Sequence, residues 1–354
     1  MTTQFKLNQD EMRELIETRR DLHRHPETAF EEERTAGIVA ERLEALGLSP
    51  VTGIAKTGVT AILEGDEPGP CVLIRADMDA LPIFEESEEE YKSVVDGNMH
   101  ACGHDGHTSV ALSAARQLLK IKRPKRGSIK FLFQPAEEVG DGAKAMIEEG
   151  VLQNPKVDAA FGLHLWNYMP TGVVGVAPGP VMAAADLFTV DIFGEGCHGA
   201  QPHMGRDPVL AAAHVITAVQ QIASRIVNPL TPVVVTVSQI HGGDAYNVIP
   251  DSVTIAGTIR TFDDQVWEGI PSLFQEIVER TAHAFDCTVE IDYKRAVRPV
   301  DNDPEMTALV REIAVEFVGE DNIVEEQTTG AEDFAEFLHH VPGCFFFIGS
   351  ANHE

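Results

Sequence analysis

The segment Asn98–His107 concentrates side chains that can bind a metal ion. Its sequence, N-M-H-A-C-G-H-D-G-H, holds three histidines, one cysteine and one aspartate within ten residues. Because Cys102 and His104 are two residues apart, both side chains can face one cation in an extended loop. Thiolate and imidazole are ligands that suit zinc, manganese or another transition ion. The segment therefore predicts a metal site, with a cluster that only caps a helix as the alternative.

Two further segments carry donors of the same kind. The first, Q-P-A-E-E, places Glu137 and Glu138 directly after an apolar run typical of a buried strand. Adjacent side chains point in different directions in regular structure, so one carboxylate can bind a metal ion while its neighbour handles a proton. The second, F-G-L-H-L-W, ends an apolar strand with His164. If each segment is taken alone, the simpler explanation for Glu137 and Glu138 is an exposed acidic start of a helix, and that for His164 is a structural histidine.

Elements of an α/β fold must position these residues. Apolar runs predict strands at 59–63, 71–76, 128–133 and 158–165, and amphipathic periodicity predicts helices at 10–24, 35–46 and 106–119. This alternation favours a mixed, mostly parallel sheet with helices on both faces. Because such sheets place their sites at the carboxyl ends of strands, the three segments would meet at one edge, which argues against coincidence.

A different pattern follows residue 184. It predicts strands at 187–193, 233–240, 252–260 and 288–293, and helices at 208–226 and 264–285. This β-α-β-β-α-β order is that of a ferredoxin-like α+β unit. We expect an inserted domain at 184–294 between two parts of a catalytic domain, 1–183 and 295–354. The second part is predicted to hold helices at 305–318 and 331–339 and a strand at 344–348.

Composition narrows the classes of partner. The chain has 56 acidic and 27 basic side chains and a formal net charge of −29. Phosphate backbones and anionic membranes would be repelled, so we expect neither nucleic acid nor a membrane as a partner. The five cysteines are scattered, the first ten residues lack an apolar signal core, and no apolar run reaches membrane-spanning length. We therefore expect a cytoplasmic protein without a disulfide framework.

Taken in chain order, the motifs resemble those of a known enzyme family. Six segments are similar to the aminoacylase/carboxypeptidase metallopeptidase family: R-A-D-M-D-A-L-P, H-A-C-G-H-D-G-H, Q-P-A-E-E, G-L-H, H-G-A-Q-P-H and N-V-I-P-D. The nearest branch is that of the hippurate hydrolases and indole-3-acetyl-amino-acid hydrolases. The resemblance covers nearly the whole chain. It implies a two-metal catalytic domain, a lid domain that often mediates dimers, and hydrolysis of the amide bond of N-acyl amino acids.

The resemblance also assigns roles to the donors. It makes Cys102 a ligand shared by two metal ions, with His104 and Glu138 on one side and His164 on the other. Glu137 would be the general base, which takes a proton from water and returns it to the leaving amine. Two divalent ions per chain are implied. Manganese or zinc is expected first, with cobalt or nickel as further candidates.

Two aspartates lie near the end of the predicted strand 71–76. Related branches keep a histidine ligand at the position of Asp77, followed by its partner. We therefore expect Asp77 and Asp79 to support the ligands rather than to bind metal themselves.

Four residues of the predicted lid are candidates for contact with the substrate. The resemblance implies that His198 stabilises the developing oxyanion as the lid closes about hinges at 183–186 and 296–299. A turn histidine bonded to the backbone is the alternative. We expect His203, Asn247 and Arg260 to bind substrate; Arg260 can hold a carboxylate through two hydrogen bonds, although a surface salt bridge explains it equally well. A homodimer or homotetramer through the lid is expected.

The carboxyl terminus departs from the family pattern. Members usually continue past an I-G pair such as Ile348-Gly349 to a histidine that completes the second metal site. This sequence ends at Glu354, and His353 lies too early to match that histidine. We expect a truncated form, with a variant that lacks this ligand as the alternative, and in this form the second metal ion is expected to be weakly bound or absent.

Other functions stay open from the sequence alone. A catalytically silent binding or regulatory homologue would explain the missing histidine, and a dipeptidase or carboxypeptidase would use the same centre. A cysteine hydrolase built on Cys102 would leave the glutamate pair and His164 without a role. Neither the acyl group nor the amino acid of the substrate can be read from these residues.

Overall fold

The computed structural model describes residues 6–121 and 123–351 and contains two compact units. The larger unit comprises the chain up to Val181, Val300–Gln327 and the chain from Glu332 onward, and the smaller comprises Met182–Pro299 and Thr328–Ala331. His353 and the first five residues of the segment predicted to lack a signal core lie outside the described residues.

The two units are built from eight α-helices and sixteen strands within the described residues. The helices are α1 (Gln9–Arg24), α2 (Glu33–Ala45), α3 (His104–Ile121), α4 (Gly142–Glu148), α5 (Pro208–Val219), α6 (Asp264–His283), α7 (Pro304–Val318) and α8 (Ala335–His340). The strands are β1 (Val51–Ile54), β2 (Gly58–Glu64), β3 (Glu67–Asp77), β4 (Arg126–Gln134), β5 (Ala159–Pro170), β6 (Val174–Gly175), β7 (Gly179–Met182), β8 (Ala184–Phe193), β9 (Cys197–His198), β10 (Val233–His241), β11 (Val248–Ile249), β12 (Ser252–Thr261), β13 (Thr288–Val297), β14 (Val300–Asn302), β15 (Ile323–Val324) and β16 (Gly343–Ala351).

An eight-stranded sheet organises the larger unit, in the order β1-β2-β4-β3-β5-β16-β6-β15. β3 pairs in parallel with both β4 and β5, and β5 pairs in parallel with β16. Parallel pairing brings the carboxyl ends of these strands to one edge of the sheet. Asp77 lies opposite Gln134 where β3 and β4 end, and His164 lies opposite Phe347 in the middle of β5 and β16.

Helices cover both faces of this sheet. Ile74 and Ala76 of β3 pack into an apolar core with side chains of α2 and α3, such as Val39 and Leu112. Arg75 lies between them in the sequence and points to the opposite face, since side chains alternate along a strand. There its guanidinium reaches the segment that precedes α8. The predicted mixed, mostly parallel α/β class is therefore confirmed.

The smaller unit is a four-stranded antiparallel sheet, in the order β10-β12-β8-β13, with α5 and α6 packed against it. Along the chain its main elements run β8-α5-β10-β12-α6-β13, as expected for a ferredoxin-like unit. Its core includes the rings of Phe188 and Phe274, whose centroids are 4.5 Å apart. Asp207 caps α5 by accepting the backbone N–H groups of Val209 and Leu210.

One predicted helix starts later than its sequence suggested. The prediction was 331–339, but α8 begins at Ala335. The preceding acidic residues, Glu332 and Asp333, instead use their carboxylates to bind Arg75. Tertiary bonds therefore override the helix propensity of this segment. The short helix α4 and the short strands β1, β6, β7, β9, β11, β14 and β15 were not predicted either.

The helix predicted at 208–226 also differs in detail. It is α-helical to Val219, and Ile222–Ile226 forms a short π-helix. Among the described residues, this segment is long and apolar enough to cross a membrane by length and composition alone. Its side chains at 211, 212, 215, 219 and 222 are buried in the core of the smaller unit. The segment is therefore weak evidence for a membrane span, since a core helix has the same composition.

The acidic surface predicts that salt stabilises the fold. A net charge of −29 repels itself in the compact state, and the Debye length falls to about 3 Å at 1 M salt. We expect the thermal midpoint at pH 7 to rise by several degrees as KCl is raised to about 1 M. The control is the same titration near pH 4.7, the isoelectric point, where the response should shrink. An equal response at both pH values would contradict self-repulsion as the cause.

Candidate metal centre

Three of the predicted donors come together at the sheet edge. One ligand atom each from Cys102, His104 and His164 lies within 4.8 Å of the others. Gly103 has a φ of +87°, which lets the backbone turn between Cys102 and the first residue of α3, His104. His164 reaches the same place from β5. The predicted strand ended at residue 165, but β5 runs on to Pro170, so the loop before α3 and the middle of β5 supply one sulfur and two nitrogen donors.

The imidazole of His104 is oriented from one side and open on the other. Its Nδ1 lies 2.9 Å from the carbonyl oxygen of Asp79 and 3.2 Å from Oδ1 of the same residue, so Nδ1 donates. Its Nε2 is buried and has no hydrogen-bond partner among the described residues. Carboxylate oxygens of Asp77, Glu137 and Glu138 lie 3.7, 3.9 and 3.9 Å from Nε2. These separations suit ligands that share a cation rather than groups that share a proton.

A strained turn presents the two glutamates. Ala136, directly after the Q-P end of β4, has a φ of +56°, in the left-handed region that alanine seldom adopts. Its N–H donates to Oε1 of the buried Glu32 at 2.9 Å, which holds the turn in place. The N–H of Glu138 donates to Asp79 Oδ2 at 3.0 Å. The side chain of Glu138 then places Oε1 in the centre, buried and without a partner among the described residues.

The donors group in two overlapping sets. Cys102, His104 and His164 form one, and His104, Glu137 and Glu138 form the other, so the two sets meet at His104. The bridging role that the resemblance gives to Cys102 stays a prediction.

The protonation preferences of these groups fit a cation. Burial, followed by the charge of Glu138, raises the pKa of the Cys102 thiol well above its ordinary value, so the thiolate needs a nearby positive charge. Burial lowers the pKa of His164 to about 3, which leaves a neutral imidazole with a lone pair. Burial raises the pKa of Glu138. Nε2 of His104 and Oε1 of Glu138 are buried without a hydrogen-bond partner among the described residues, and a divalent metal ion would supply that partner.

The charge of His104 is the exception. Burial alone would lower its pKa, but Asp77 and Asp79 outweigh burial and raise the pKa of His104 well above the ordinary value. The two carboxylates therefore favour the protonated ring when no cation is bound. A cation would replace that proton at Nε2.

A buried ion cluster around Arg75, which was not predicted from the sequence, lies beside the centre. Arg75 is fully buried and donates to Asp77 Oδ2 at 2.5 Å, to Glu332 Oε1 at 2.8 Å and to Asp333 Oδ1 at 2.9 Å. Its Nε also donates to Gln134 at 2.9 Å. These partners raise the pKa of Arg75 further, so the guanidinium is always charged.

A general-base candidate is attached to this cluster. Oε1 of Glu137 accepts the N–H of Asp333 at 3.4 Å. Burial and the charges of Glu332 and Asp333 raise the pKa of Glu137 well above its ordinary value. Glu137, Glu332 and Asp333 also form a close acidic group.

The residues of the ion cluster stand in recognisable sequence motifs, but these motifs are too far apart in the chain for a pairing to be predicted. Arg75 begins the R-A-D motif, and Glu332 and Asp333 stand in A-E-D-F, yet the two segments are 257 residues apart. His107 was counted within the histidine-rich segment and received no role. The structure places it 2.6 Å from Asp77.

The four predicted lid residues lie in the smaller unit. His198 lies on β9, His203 on a short 3-10 turn and Asn247 just before β11, and all three are exposed. Gly199 N–H donates to the carbonyl oxygen of Asn247 at 2.7 Å, so the loops of His198 and Asn247 are neighbours. Arg260 lies on β12 and is partly buried.

Replacing Arg75 tests the ion cluster. Arg75→Met would leave Asp77, Glu332 and Asp333 buried without their counter-charge, and we expect a loss of about 3–5 kcal/mol in the free energy of unfolding. Urea unfolding of the metal-depleted protein, followed by circular dichroism, measures it. Arg311→Met breaks an exposed pair with Glu320 and should cost less than about 1 kcal/mol. Equal losses in the two variants would refute the cluster's importance.

Comparisons with known proteins identify relatives of this chain. Residues 73–354 match the model of Peptidase family M20/M25/M40. The chain is 42% identical over 339 residues to the N-acetyl-L-cysteine deacetylase of Bacillus subtilis, covering 96% of this chain and 80% of that protein. It is 44% identical over 290 residues to the N-acyl-L-amino acid amidohydrolase of Geobacillus stearothermophilus, covering 82% and 78%.

A solved structure is similar over nearly the whole chain. It is that of the YXEP protein of Bacillus subtilis, described as a dinuclear metal binding peptidase. It superposes with a TM-score of 0.84 at 35% identity and covers 98% of this chain and 91% of the other. The resemblance inferred from the motifs is confirmed: the chain belongs to Peptidase family M20/M25/M40.

Proposed function

We propose that this protein hydrolyses the amide bond of N-acyl amino acids with the help of two divalent metal ions. Family membership makes it a metal-dependent hydrolase of amides. The observation that carries the proposal is the largely buried carboxylate of Glu137, with an oxygen 3.9 Å from Nε2 of His104, which has no hydrogen-bond partner among the described residues. A proton acceptor and a cation site therefore lie side by side. The names of the two curated relatives support the N-acyl substrate class.

The residues that would hold the metal ions are Cys102, His104, Glu138 and His164. Manganese or zinc suits this mixture of sulfur, nitrogen and oxygen donors, and cobalt or nickel would also be accepted. Such ions act as Lewis acids on a carbonyl oxygen and on water. Asp79 supports two of the ligands, because it accepts from Nδ1 of His104 and from the N–H of Glu138.

Glu137 would take and return the proton. Its Oε1 is held by the N–H of Asp333, so Oε2, the atom near His104, is left to work as the base. The raised pKa, caused first by burial, lets the carboxyl group accept a proton from water and pass it to the leaving amine near neutral pH.

Glu137→Gln separates proton transfer from metal binding. The amide keeps the shape of the side chain but cannot accept the proton, so we expect kcat to fall by about 10²–10⁴-fold with metal content unchanged. Hydrolysis of hippurate, N-acetyl amino acids and dipeptides with added manganese, cobalt or zinc, and metal analysis of the same samples, measure both quantities. Glu138→Gln is the matched control and should lose metal as well as turnover.

The same panel decides between the alternatives. Near-native turnover by Glu137→Gln would disprove the base assignment, and an inactive wild-type protein that still binds metal would indicate a binding homologue. A cysteine hydrolase would resist chelators and lose activity to thiol reagents without losing metal. Preferred cleavage of dipeptides would indicate a dipeptidase or carboxypeptidase.

His198 is proposed to stabilise the oxyanion. Its Nδ1 accepts the backbone N–H of Ala200 at 3.1 Å, so a neutral ring carries its proton on Nε2. The backbone bond was the alternative explanation of this histidine, and it is compatible with the proposed role because it leaves an exposed donor. His203 and Asn247 are proposed as further contacts to substrate on the same exposed loops.

Arg260 is proposed to bind the substrate carboxylate. Burial lowers the pKa of Arg260, and its side chain has neither an ion pair nor a hydrogen bond to another residue in the described part of the chain. The nearby Asp186 is occupied by Trp267 and Tyr293, at 2.8 and 2.6 Å. Asp186 attracts the charge of Arg260 without forming an ion pair or hydrogen bond with it, so the guanidinium keeps its donors for the carboxylate of a ligand.

Arg260→Gln tests this role with paired substrates. We expect kcat/KM for an N-acyl amino acid to fall by about tenfold to a hundredfold, because a charged hydrogen bond is lost. The corresponding amino-acid amide lacks the carboxylate and should be affected much less. Arg280→Gln, on the exposed side of α6, is the control. An equal fall for acid and amide would show that Arg260 does not bind the carboxylate.

We also propose a homodimer, or a homotetramer, formed through the smaller unit. β10 is an outer strand of its sheet, and Val234 and Ile240 on it are 43% and 54% exposed. Outer strands with apolar side chains readily pair with another chain. Sedimentation analysis of the wild-type protein and of Val234→Lys tests this assembly. The predicted cytoplasmic location is compatible with the five free cysteines.

A further inference from the structure

His107 resembles a metal ligand by position alone. Ligand atoms of Asp77, His104 and His107 lie within 4.8 Å of one another, as do those of the two donor sets described above. The ring of His107 is 2% exposed, and its centroid lies 5.3 Å from that of His104 and 4.7 Å from that of His164. The question is whether a lone pair remains on either ring nitrogen.

The hydrogen bonds of His107 use both nitrogens. Nε2 lies 2.8 Å from the backbone nitrogen of Leu165, and a backbone N–H can only donate, so Nε2 is the acceptor. Nδ1 therefore carries the proton of the neutral ring and donates to Oδ1 of Asp77 at 2.6 Å. This tautomer leaves no lone pair for a cation.

Each partner of His107 is itself fixed. Oδ2 of Asp77 accepts from Arg75 at 2.5 Å, and the carbonyl oxygen of Asp77 accepts the hydroxyl of Thr108 at 2.8 Å. On the other side, the N–H of Leu165 belongs to the peptide group that joins it to His164. His107 thus connects the end of β3 to the peptide that carries His164.

We propose that His107 is a positioning residue that sets the orientation of His164 through the 164–165 peptide, and is not itself a ligand. The proposal rests on the proposed function only in that His164 binds a metal ion. Without the acceptor on His107, the peptide could rotate and carry the imidazole of His164 away from Cys102 and His104. The chain of contacts runs from Arg75 through Asp77 and His107 to that peptide.

Two substitutions separate the two hydrogen bonds. His107→Asn keeps a donor close to the position of Nδ1 but offers Leu165 no acceptor. His107→Gln can bring its amide oxygen close to the position of Nε2 and restore the acceptor. The probe is Co²⁺ or Zn²⁺ alone, titrated against a chromophoric chelator, with the number of ions per chain counted at saturation.

We expect His107→Asn to weaken metal binding by about tenfold to a hundredfold and His107→Gln to recover part of that loss, with the ion count unchanged. His164→Asn should lose affinity and an ion, and His214→Asn, on the exposed side of α5, should bind as the wild type does. Native affinity in His107→Asn would overturn the proposal, even if its thermal midpoint fell. A missing ion at saturation in either His107 variant would show that His107 is a ligand and would overturn it too.

A measurement on the wild-type protein keeps the proposal testable if the variants do not fold. In a sample with ¹⁵N-labelled histidine, we expect one ring with a protonated Nδ1 and an unprotonated Nε2 that keeps this tautomer when metal is added. A protonated Nε2, or a metal-induced change at this ring, would overturn the proposal. Neither readout depends on which amide is cleaved, so failure of the proposed function would appear separately, in the hydrolysis assay.

Discussion

The contact of Arg75 with three carboxylates is the interaction on which the candidate centre depends. The guanidinium comes from the end of β3, while Glu332 and Asp333 come from the segment before α8, 257 residues later. Each of these charges is buried, so none is stable without the others. Their pairing fixes the distant segment at the sheet edge. The backbone N–H of Asp333 is thereby placed beside Glu137, which links the fold directly to the candidate base.

The cluster is not electrically balanced, and this imbalance connects folding to metal binding. One guanidinium faces Asp77, Glu332 and Asp333, and the carboxylates of Glu137 and Glu138 are close by. This excess of negative charge raises the pKa of His104, and burial together with this excess raises the pKa of Glu137, so both groups favour their protonated forms when no metal ion is bound. Bound divalent cations would neutralise this excess negative charge directly. Metal binding should therefore release protons and strengthen as pH rises.

The sequence revealed the parts of the centre that local patterns encode. Cys102 and His104 are two residues apart, so spacing alone was enough to propose them. Glu138 and His164 lie near the ends of predicted apolar strands, and they were proposed only because the three segments coincide at one sheet edge and resemble a known family. The pairing of Arg75 with Glu332 could not be predicted in this way, because the two residues are 257 positions apart and meet only in the folded protein. The same contact shifted the start of α8, since residues with good helix propensity were used in tertiary bonds. Fold class was easier, because it depends on the order of elements rather than on any single contact.

Asp77, at the end of β3, and Asp79, two residues later, each support one of the two donor sets. Asp77 accepts hydrogen bonds from Arg75 and His107, and His107 in turn accepts the N–H of Leu165, next to His164. Asp79 receives the ring of His104 and the N–H of Glu138. Both oxygens of Asp77 are already engaged, one by a guanidinium and the other by an imidazole. A carboxylate with both oxygens so occupied is better suited to orient donors than to act as one.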